Sequence, residues 1–148
     1  MKEQRRGGHT VSWLTAHIVW VTKYRYHVLK GDIQVRCRDL IKQICDGEDV
    51  RILKGVVSKG HVHIHVEYPP SKSISNLVKR LQGRTSRRLQ AAAAEEFPQL
   101  SKRYWERHFW AIGYGVWSTG NITDEMVQEY LEHRRGDSNS DSDNIILE

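Results

Sequence analysis

Hydrophobic and polar residues alternate without a break from residue 60 to residue 66, in the run GHVHIHV. Successive side chains of an extended strand point to opposite faces, so the three histidines of this run share one face. The three aliphatic residues between them can then be buried on the other face. The pattern predicts a strand with an apolar side and an imidazole side, ended by Pro69-Pro70.

Runs of β-branched and aromatic residues predict further strands at 17–22, 50–57 and 111–117. A short turn joins the second of these to the histidine strand, which indicates a hairpin. Apolar residues recur at helical spacing over 33–45, 73–96 and 124–134, with Ser73 and Thr123 suited to cap the last two helices. The order strand, helix, strand, strand, helix, strand predicts an α+β fold of the split βαβ type, an antiparallel sheet with helices on one face and the other face free.

The size and composition of the chain suit a single domain. It has 148 residues, of which 39% are hydrophobic, enough for one core. We assign residues 1–135 to this domain and expect residues 136–148, rich in Asp, Ser and Asn, to form a disordered acidic tail. The formal net charge of +5 favours a polyanionic partner, nucleic acid ahead of a membrane.

Compartment signals point to the cytoplasm. No uncharged run reaches the ~18 residues of a membrane span, and the N-terminal segment does not have the pattern of a signal peptide. Cys37 and Cys45 lack the spacing of a zinc or redox pair. We therefore expect reduced packing thiols in a cytoplasmic protein without a membrane partner.

The histidine run is a candidate metal site. His61 and His63 would point the same way from a rigid sheet, and two imidazoles can hold one divalent cation, although structural histidines are the alternative. Together with Glu67 the pair also matches the His-x-His-x3-Glu spacing of the cupin metalloproteins. Cupins are all-β, whereas this chain carries long helical patterns, which argues against that assignment.

Tyr130 lies on the apolar stripe of the last predicted helix with Met126, Val127 and Leu131, so its ring can be a core residue. A phenol with a pKa near ~10 is a poor nucleophile at neutral pH. A metal held by the histidine pair would polarise a phosphodiester and allow the phenol to react.

The second long helix has a basic face around Gly83. Its members are Lys79, Arg80, Arg84, Arg87 and Arg88. Such a face is either solvated or a track for a DNA backbone, in which case each neutralised phosphate steepens the salt dependence of binding. Lys23 and Arg25, on either side of Tyr24, can add charge and stacking for an unpaired base.

Several segments occur in one uninterrupted order over residues 13–134: HIVWVTKYR at 17–25, GHVH at 60–63, PP at 69–70, LVKRLQG at 77–83, Trp110, Tyr114, GNIT at 120–123 and YLE at 130–132. Together they resemble the single-tyrosine HUH transposases, small enzymes that move certain bacterial insertion sequences as single-stranded DNA. The resemblance implies a ferredoxin-like fold with a C-terminal helix carrying the tyrosine, and a homodimer whose subunits can share active sites.

The resemblance also implies a mechanism. Tyr130 would attack single-stranded DNA that has hairpin ends formed by imperfect palindromes, leaving a 5′-phosphotyrosine and a free 3′-hydroxyl. His61 and His63 would hold Mg²⁺ or Mn²⁺ on the scissile phosphate.

Two positions depart from the family. Members usually carry an aliphatic residue in place of His65, so the second and third histidines are an alternative pair, although counting back from Pro69-Pro70 favours the first and second. Members commonly place a metal-binding glutamine where this chain has Arg134, whose guanidinium cannot bind a cation. His133, one position earlier, is then a candidate third ligand, and water or a phosphate in the third position is the alternative.

Two other functions are compatible with the sequence. A domesticated relative that processes repeated extragenic palindromes would use the same chemistry. A noncatalytic single-strand nucleic-acid-binding module would use a similar sheet, but with aromatic residues in the central strands, where this chain has histidines.

Overall fold

The structure is a computed structural model that describes residues 6–7, 10–11, 13–98, 109–118, 124–132 and 145–147. The helices are α1 (Gly31–Gly47), α2 (Ile74–Glu96) and α3 (Asp124–Glu132). The strands are β1 (Arg6–Gly7), β2 (Thr10–Val11), β3 (Leu14–Val21), β4 (Arg51–Val57), β5 (His61–Tyr68), β6 (Gly115–Trp117) and β7 (Ile145–Leu147). A short 3-10 turn at Lys23–Arg25 follows β3, and β1 pairs with β2.

The main sheet has the order β6-β3-β5-β4-β7, with every neighbouring pair antiparallel. Helix α1 connects β3 to β4, a hairpin joins β4 to β5, and α2 lies between β5 and β6 in the chain. The four strands β6, β3, β5 and β4 therefore reproduce the ferredoxin-like order that the split βαβ pattern predicts. The predicted α+β class and fold are confirmed.

Helices α1 and α2 cover one face of the sheet. Alternate residues of the two central strands enter the same buried cluster as the apolar sides of these helices, and Ile18, Ile64 and Leu81 are 0% exposed. Burying an aliphatic side chain of this size contributes about 1.5–3 kcal/mol. Most of the buried apolar side chains among the described residues belong to the cluster on this face. Ser73 caps α2 as predicted, because its side chain accepts a hydrogen bond from the backbone N–H of Asn76.

The opposite face of the sheet is not left free, which corrects the prediction from the strand order. Val19 and Val21 alternate with the core residues of β3 and project from this second face. Helix α3 covers them, with Leu131 1% exposed in the same small cluster. Two neighbouring valines on the face that also carries the histidines require an apolar cover, and the last helix contributes to it.

Three residues of the segment expected to be a disordered tail lie in a strand. Ile145–Leu147 form β7, which pairs with Gly55–Val57 at the edge of the sheet. An edge strand exposes a row of backbone N–H and C=O groups, and a further strand that pairs with the edge satisfies them. The rest of 136–148 lies outside the described residues.

Cys37 and Cys45 are buried free thiols of α1, as expected for packing residues. Burial is the largest cause that raises the pKa of Cys45, to about 12. No helix among the described parts of the chain is both long and apolar enough to cross a membrane.

Candidate functional site

The histidines of β5 occupy the face of the sheet that α3 partly covers. The register places His61 opposite Val21, His63 opposite Val19 and His65 opposite His17, so all of these side chains project from one face. His61 is 7% exposed, while His63 and His65 are half-buried. The strand forms here because the intervening aliphatic residues are buried among α1 and α2.

A fourth histidine joins the group from β3. The Nδ1 atom of His17 lies 3.1 Å from the Nε2 atom of His63, within hydrogen-bond distance. The ring of His17 also stacks on that of His65, with centroids 3.9 Å apart and planes inclined by 7°. Sequence reasoning did not single out His17, although its position two residues before Val19 on the same strand was a usable signal.

The electrostatics of this group keep His17 uncharged near neutral pH. Burial, followed by the charge of His65, lowers the pKa of His17 to about 4. The hydrogen bond between His17 and His63 therefore joins two rings of which one is neutral, and the ring tautomers decide which nitrogen donates. A cation bound through Nε2 of His63 has to displace this bond, whereas a cation bound through Nδ1 can keep it.

The donor set fits a divalent cation only in part. His61 and His63 supply two nitrogen ligands from one face of a strand, which suits Mn²⁺ better than Mg²⁺, a cation that prefers oxygen. Within the described residues no group of three or more His, Cys, Asp or Glu side chains is placed to hold a metal ion. Phosphate oxygens and water would have to complete the coordination shell. His133, the predicted third ligand, and Arg134 lie outside the described residues.

Tyr130 lies on the histidine face. Its ring is half-buried and meets the ring of Trp117 edge-on, with centroids 6.0 Å apart. A Cβ atom placed on Gly115 would lie 3.1 Å from the Cδ1 atom of Tyr130, so the tyrosine packs directly over this glycine. The Tyr130 ring is thus partly accessible to solvent.

The register connects Tyr130 to the histidines. Gly115 of β6 is opposite Val19 of β3, and Val19 is opposite His63 of β5, so the three residues form one row across the sheet. Neighbouring strands are separated by nearly 5 Å, which puts Gly115 and His63 about 10 Å apart. The structure therefore places the tyrosine helix and the histidine pair on the same face of the sheet.

The predicted basic residues of α2 are on the far side of the sheet. All five are exposed, and their helix packs on the face opposite to the histidines. Arg84, Arg87 and Arg88 line a cavity of about 380 Å³ between α1 and α2. Arg80 differs from them, because it pairs with Glu48, the residue that follows α1.

Lys23 and Arg25 have different environments in the structure. The ammonium group of Lys23 lies 5.4 Å from the centroid of the exposed Tyr24 ring. Arg25 is only 5% exposed, and its Cγ atom packs against Gly60. Arg25 therefore belongs to the packing of the turn rather than to a surface that a phosphate backbone can reach in this conformation.

The fold excludes the cupin alternative, because a single sheet with helices on both faces is not an all-β barrel. Glu67, the third residue of the cupin-like spacing, lies opposite Thr15, near the far end of β5 from His61.

Two known transposases are similar to this chain in sequence. The ISDra2 transposase TnpA of Deinococcus radiodurans is 28% identical over 130 residues, which cover 88% of this chain and 90% of that protein. The transposase for insertion sequence element IS200 of Salmonella typhimurium is 31% identical over 134 residues, which cover 90% of this chain and 85% of that protein.

Solved structures show the same fold. The crystal structure of a proposed transposase from Deinococcus radiodurans R1 superposes with a TM-score of 0.75 at 27% identity, covering 93% of this chain and all of that one. A REP-associated tyrosine transposase bound to a REP hairpin superposes with a TM-score of 0.51 at 16% identity, over 90% of this chain and 68% of that chain. The second likeness concerns the fold alone.

A family model described as IS200-like transposase matches residues 10–134, a segment that contains both the histidine strand and the helix of Tyr130. The chain belongs to the IS200-like transposase family, whose members are DNA-processing enzymes.

Proposed function

We propose that this chain cleaves and rejoins single-stranded DNA at the ends of an insertion sequence, with Tyr130 as the nucleophile. One observation carries the proposal: the helix with Tyr130 packs on the histidine face, over Gly115 and Val19, which lie in one row across the sheet with His63. Family membership alone would be compatible with an inactive copy. A tyrosine and two imidazoles on one face of the sheet provide the groups for the chemistry.

The reaction is a transesterification. The Oη atom of Tyr130 loses its proton and attacks the phosphorus atom of a DNA phosphodiester, forming a 5′-phosphotyrosine bond. The bond from phosphorus to the 3′-oxygen breaks, and that oxygen takes up a proton to leave a free 3′-hydroxyl. A second 3′-hydroxyl can reverse these steps and release the tyrosine without ATP, because the phosphotyrosine ester retains the bond energy.

His61 and His63 would hold Mg²⁺ or Mn²⁺, which supplies Lewis-acid polarisation of the phosphate. The chain itself orients the reacting groups. Leu131 anchors α3 against Val19 and Val21, and the rings of Trp117 and Tyr130 meet edge-on. We retain His133 as the candidate third ligand, since Arg134 cannot take that role.

The DNA partner we propose is a single strand whose ends fold into hairpins. The basic face of α2 lies across the sheet from the histidines, so it suits a duplex hairpin stem held apart from the strand that is cleaved. The fold-similar REP-associated enzyme was solved with a hairpin, which supports this choice of ligand. We further propose that the chain acts as a homodimer, in which the tyrosine helix can serve either subunit.

A noncatalytic binding module is disfavoured by the same packing. Sheet-based RNA-binding domains use an open sheet surface with aromatic side chains. Here the corresponding face carries histidines and is covered in part by α3. A domesticated relative that processes repeated extragenic palindromes would share the chemistry and differ in its DNA.

The test uses end-labelled oligonucleotides built from imperfect palindromes in the DNA that flanks the gene. The full chain is incubated with each strand, with and without Mn²⁺, and separated under denaturing conditions. We expect a metal-dependent covalent adduct that is absent in Tyr130→Phe and in His61→Ala. An adduct that persists in Tyr130→Phe would assign the nucleophile to another residue and overturn the proposal.

A further inference from the structure

The turn that follows β3 presents two tyrosines to solvent. Tyr24 is 56% exposed and Tyr26 is 40% exposed. Their ring centroids lie 5.5 Å apart, with the planes inclined by 53°. We call this pair the tyrosine platform. Large aromatic side chains are usually buried, so two neighbouring exposed rings indicate a surface that contacts a ligand.

The backbone holds the platform in an unusual conformation. Tyr24 has φ 56° and ψ 15°, and Arg25 has φ 54°, values in the left-handed region that bulky residues rarely adopt. Buried contacts maintain this turn: the hydroxyl of Thr22 donates to the carbonyl of Tyr26 at 2.7 Å, and Arg25 is packed inside. Glycine or asparagine would occupy these positions with less strain, so the tyrosine at 24 is not explained by the backbone.

The platform lies next to the histidine strand. The backbone N–H of Thr22 donates to the carbonyl of Gly60, the residue before His61, at 3.0 Å. A Cβ atom on Gly60 would lie 3.2 Å from both the Cγ atom and the carbonyl oxygen of Arg25. The turn and the start of the histidine strand are therefore packed against each other, and neither can shift far without the other.

We propose that Tyr24 and Tyr26 form a stacking site for an unpaired nucleobase of the DNA strand that enters the histidine site. The ammonium group of Lys23 lies 5.4 Å from the Tyr24 ring centroid, and we expect it to pair with the phosphate of the same nucleotide. Aromatic stacking accepts any base but needs one that is not already stacked in a duplex. The site would thus select single-stranded DNA near the cleaved bond, an inference that rests on the proposed function.

The experiment measures binding without cleavage. All proteins carry Tyr130→Phe, and the probe is an end-labelled mixed-sequence strand without self-complementarity, compared with its duplex by fluorescence anisotropy. Tyr24→Asn removes the ring while favouring the left-handed backbone, so it should fold at least as stably as the parent protein. Tyr24→Phe keeps the ring. Val35→Ala, at an exposed hydrophobic position of α1, is the matched control.

We expect Tyr24→Asn to weaken single-strand binding by about 5- to 150-fold and to leave duplex binding unchanged, while Tyr24→Phe and Val35→Ala bind as the parent does. If Tyr24→Asn bound the single strand as tightly as the parent protein, the proposed stacking site would be wrong. It would also be wrong if Tyr24→Asn lost as much affinity for the duplex as for the single strand. A covalent adduct in the wild-type protein combined with unchanged Tyr24→Asn binding would refute the platform alone. Weaker binding of Tyr24→Asn without any wild-type adduct would refute the transesterification alone.

Discussion

The Nδ1 atom of His17 lies 3.1 Å from the Nε2 atom of His63, on the adjacent strand. This contact fixes the orientation of one of the two imidazoles proposed to hold the metal. Residues that hydrogen-bond a metal-binding histidine set its tautomer and ring angle. For a cation bound through Nδ1 of His63, His17 is therefore a positioning residue in the proposed site.

Replacing His17 should weaken metal binding. His17→Phe keeps a flat ring to stack on His65 but has no nitrogen to hydrogen-bond His63, so we expect Mn²⁺ affinity to fall about 10- to 100-fold. His17→Asn restores a polar atom near the position of Nδ1 and should recover part of the affinity. Electron paramagnetic resonance titration of Mn²⁺ with the DNA-free protein provides the measurement. Equal affinity in His17→Phe and wild type would contradict the positioning role.

Gly115 should be required for the placement of Tyr130. A Cβ atom at this position would lie 2.8 Å from the Cη2 atom of Trp117 and 3.1 Å from the Cδ1 atom of Tyr130. Gly115→Ala must displace these rings, at a cost of about 1–3 kcal/mol in the free energy of unfolding, and should reduce the yield of covalent adduct.

Gly83 offers the matched control for that substitution. It lies inside α2, where an added Cβ atom would have no neighbour within 4 Å. Gly83→Ala should increase the free energy of unfolding by about 1 kcal/mol, since alanine favours the helix. Thermal unfolding and adduct yield are measured for both proteins. A Gly115→Ala protein as stable and active as Gly83→Ala would show that the contact over Gly115 is dispensable.

Acid should weaken the contact between α1 and α2 through Glu48. The ammonium group of Lys72 donates to Oε1 of Glu48 at 3.0 Å, and Arg80 donates to the same oxygen. The hydrogen bond from Lys72 is the largest of the causes that lower the pKa of Glu48 from its ordinary value of 4.5. A carboxylate with a lowered pKa stabilises the fold above its ordinary pKa, and this contribution is lost as the pH falls through the folded-state value.

We therefore expect the unfolding midpoint of the wild type to fall more steeply below pH 4.5 than that of Glu48→Gln. Thermal unfolding followed by circular dichroism over a pH series gives the comparison. Glu96→Gln, at an exposed position at the end of α2, serves as the control and should follow the wild type. If the unfolding midpoints of the wild type and Glu48→Gln changed equally with pH, this ion pair would not contribute to stability as proposed.

The arginines on the basic face of α2 should have two different roles, DNA binding for Arg87 and fold stability for Arg80. Arg87 is exposed beside Arg84 and Arg88, whereas Arg80 is held by Glu48. For hairpin DNA, Arg87→Ala should lower the slope of log affinity against log salt by about 0.9, the value for one phosphate contact. Arg80→Ala should change this slope less and the unfolding midpoint more. Binding isotherms at several NaCl concentrations distinguish the two, and identical slopes for wild type and Arg87→Ala would exclude a phosphate contact there.

Much of this architecture could be predicted from the periodicity of the sequence. Alternation in β5 placed His61 and His63 on one face, because a strand has a two-residue repeat whatever it pairs with. Helical spacing located α1, α2 and α3, and the order of elements indicated the ferredoxin-like sheet. These are local properties, which depend on the identities of neighbouring residues and on backbone geometry.

Tertiary structure alone decided which groups meet. His17 and His63 are 46 positions apart, and only the register of β3 against β5 puts them in contact. The side of the sheet that α3 covers, the pairing of Ile145–Leu147 with β4 and the burial of Arg25 likewise depend on surfaces left open by the rest of the fold. Periodicity determines the face that a side chain occupies, whereas its neighbours on that face are determined by how distant segments pack to bury apolar surface and satisfy backbone hydrogen bonds.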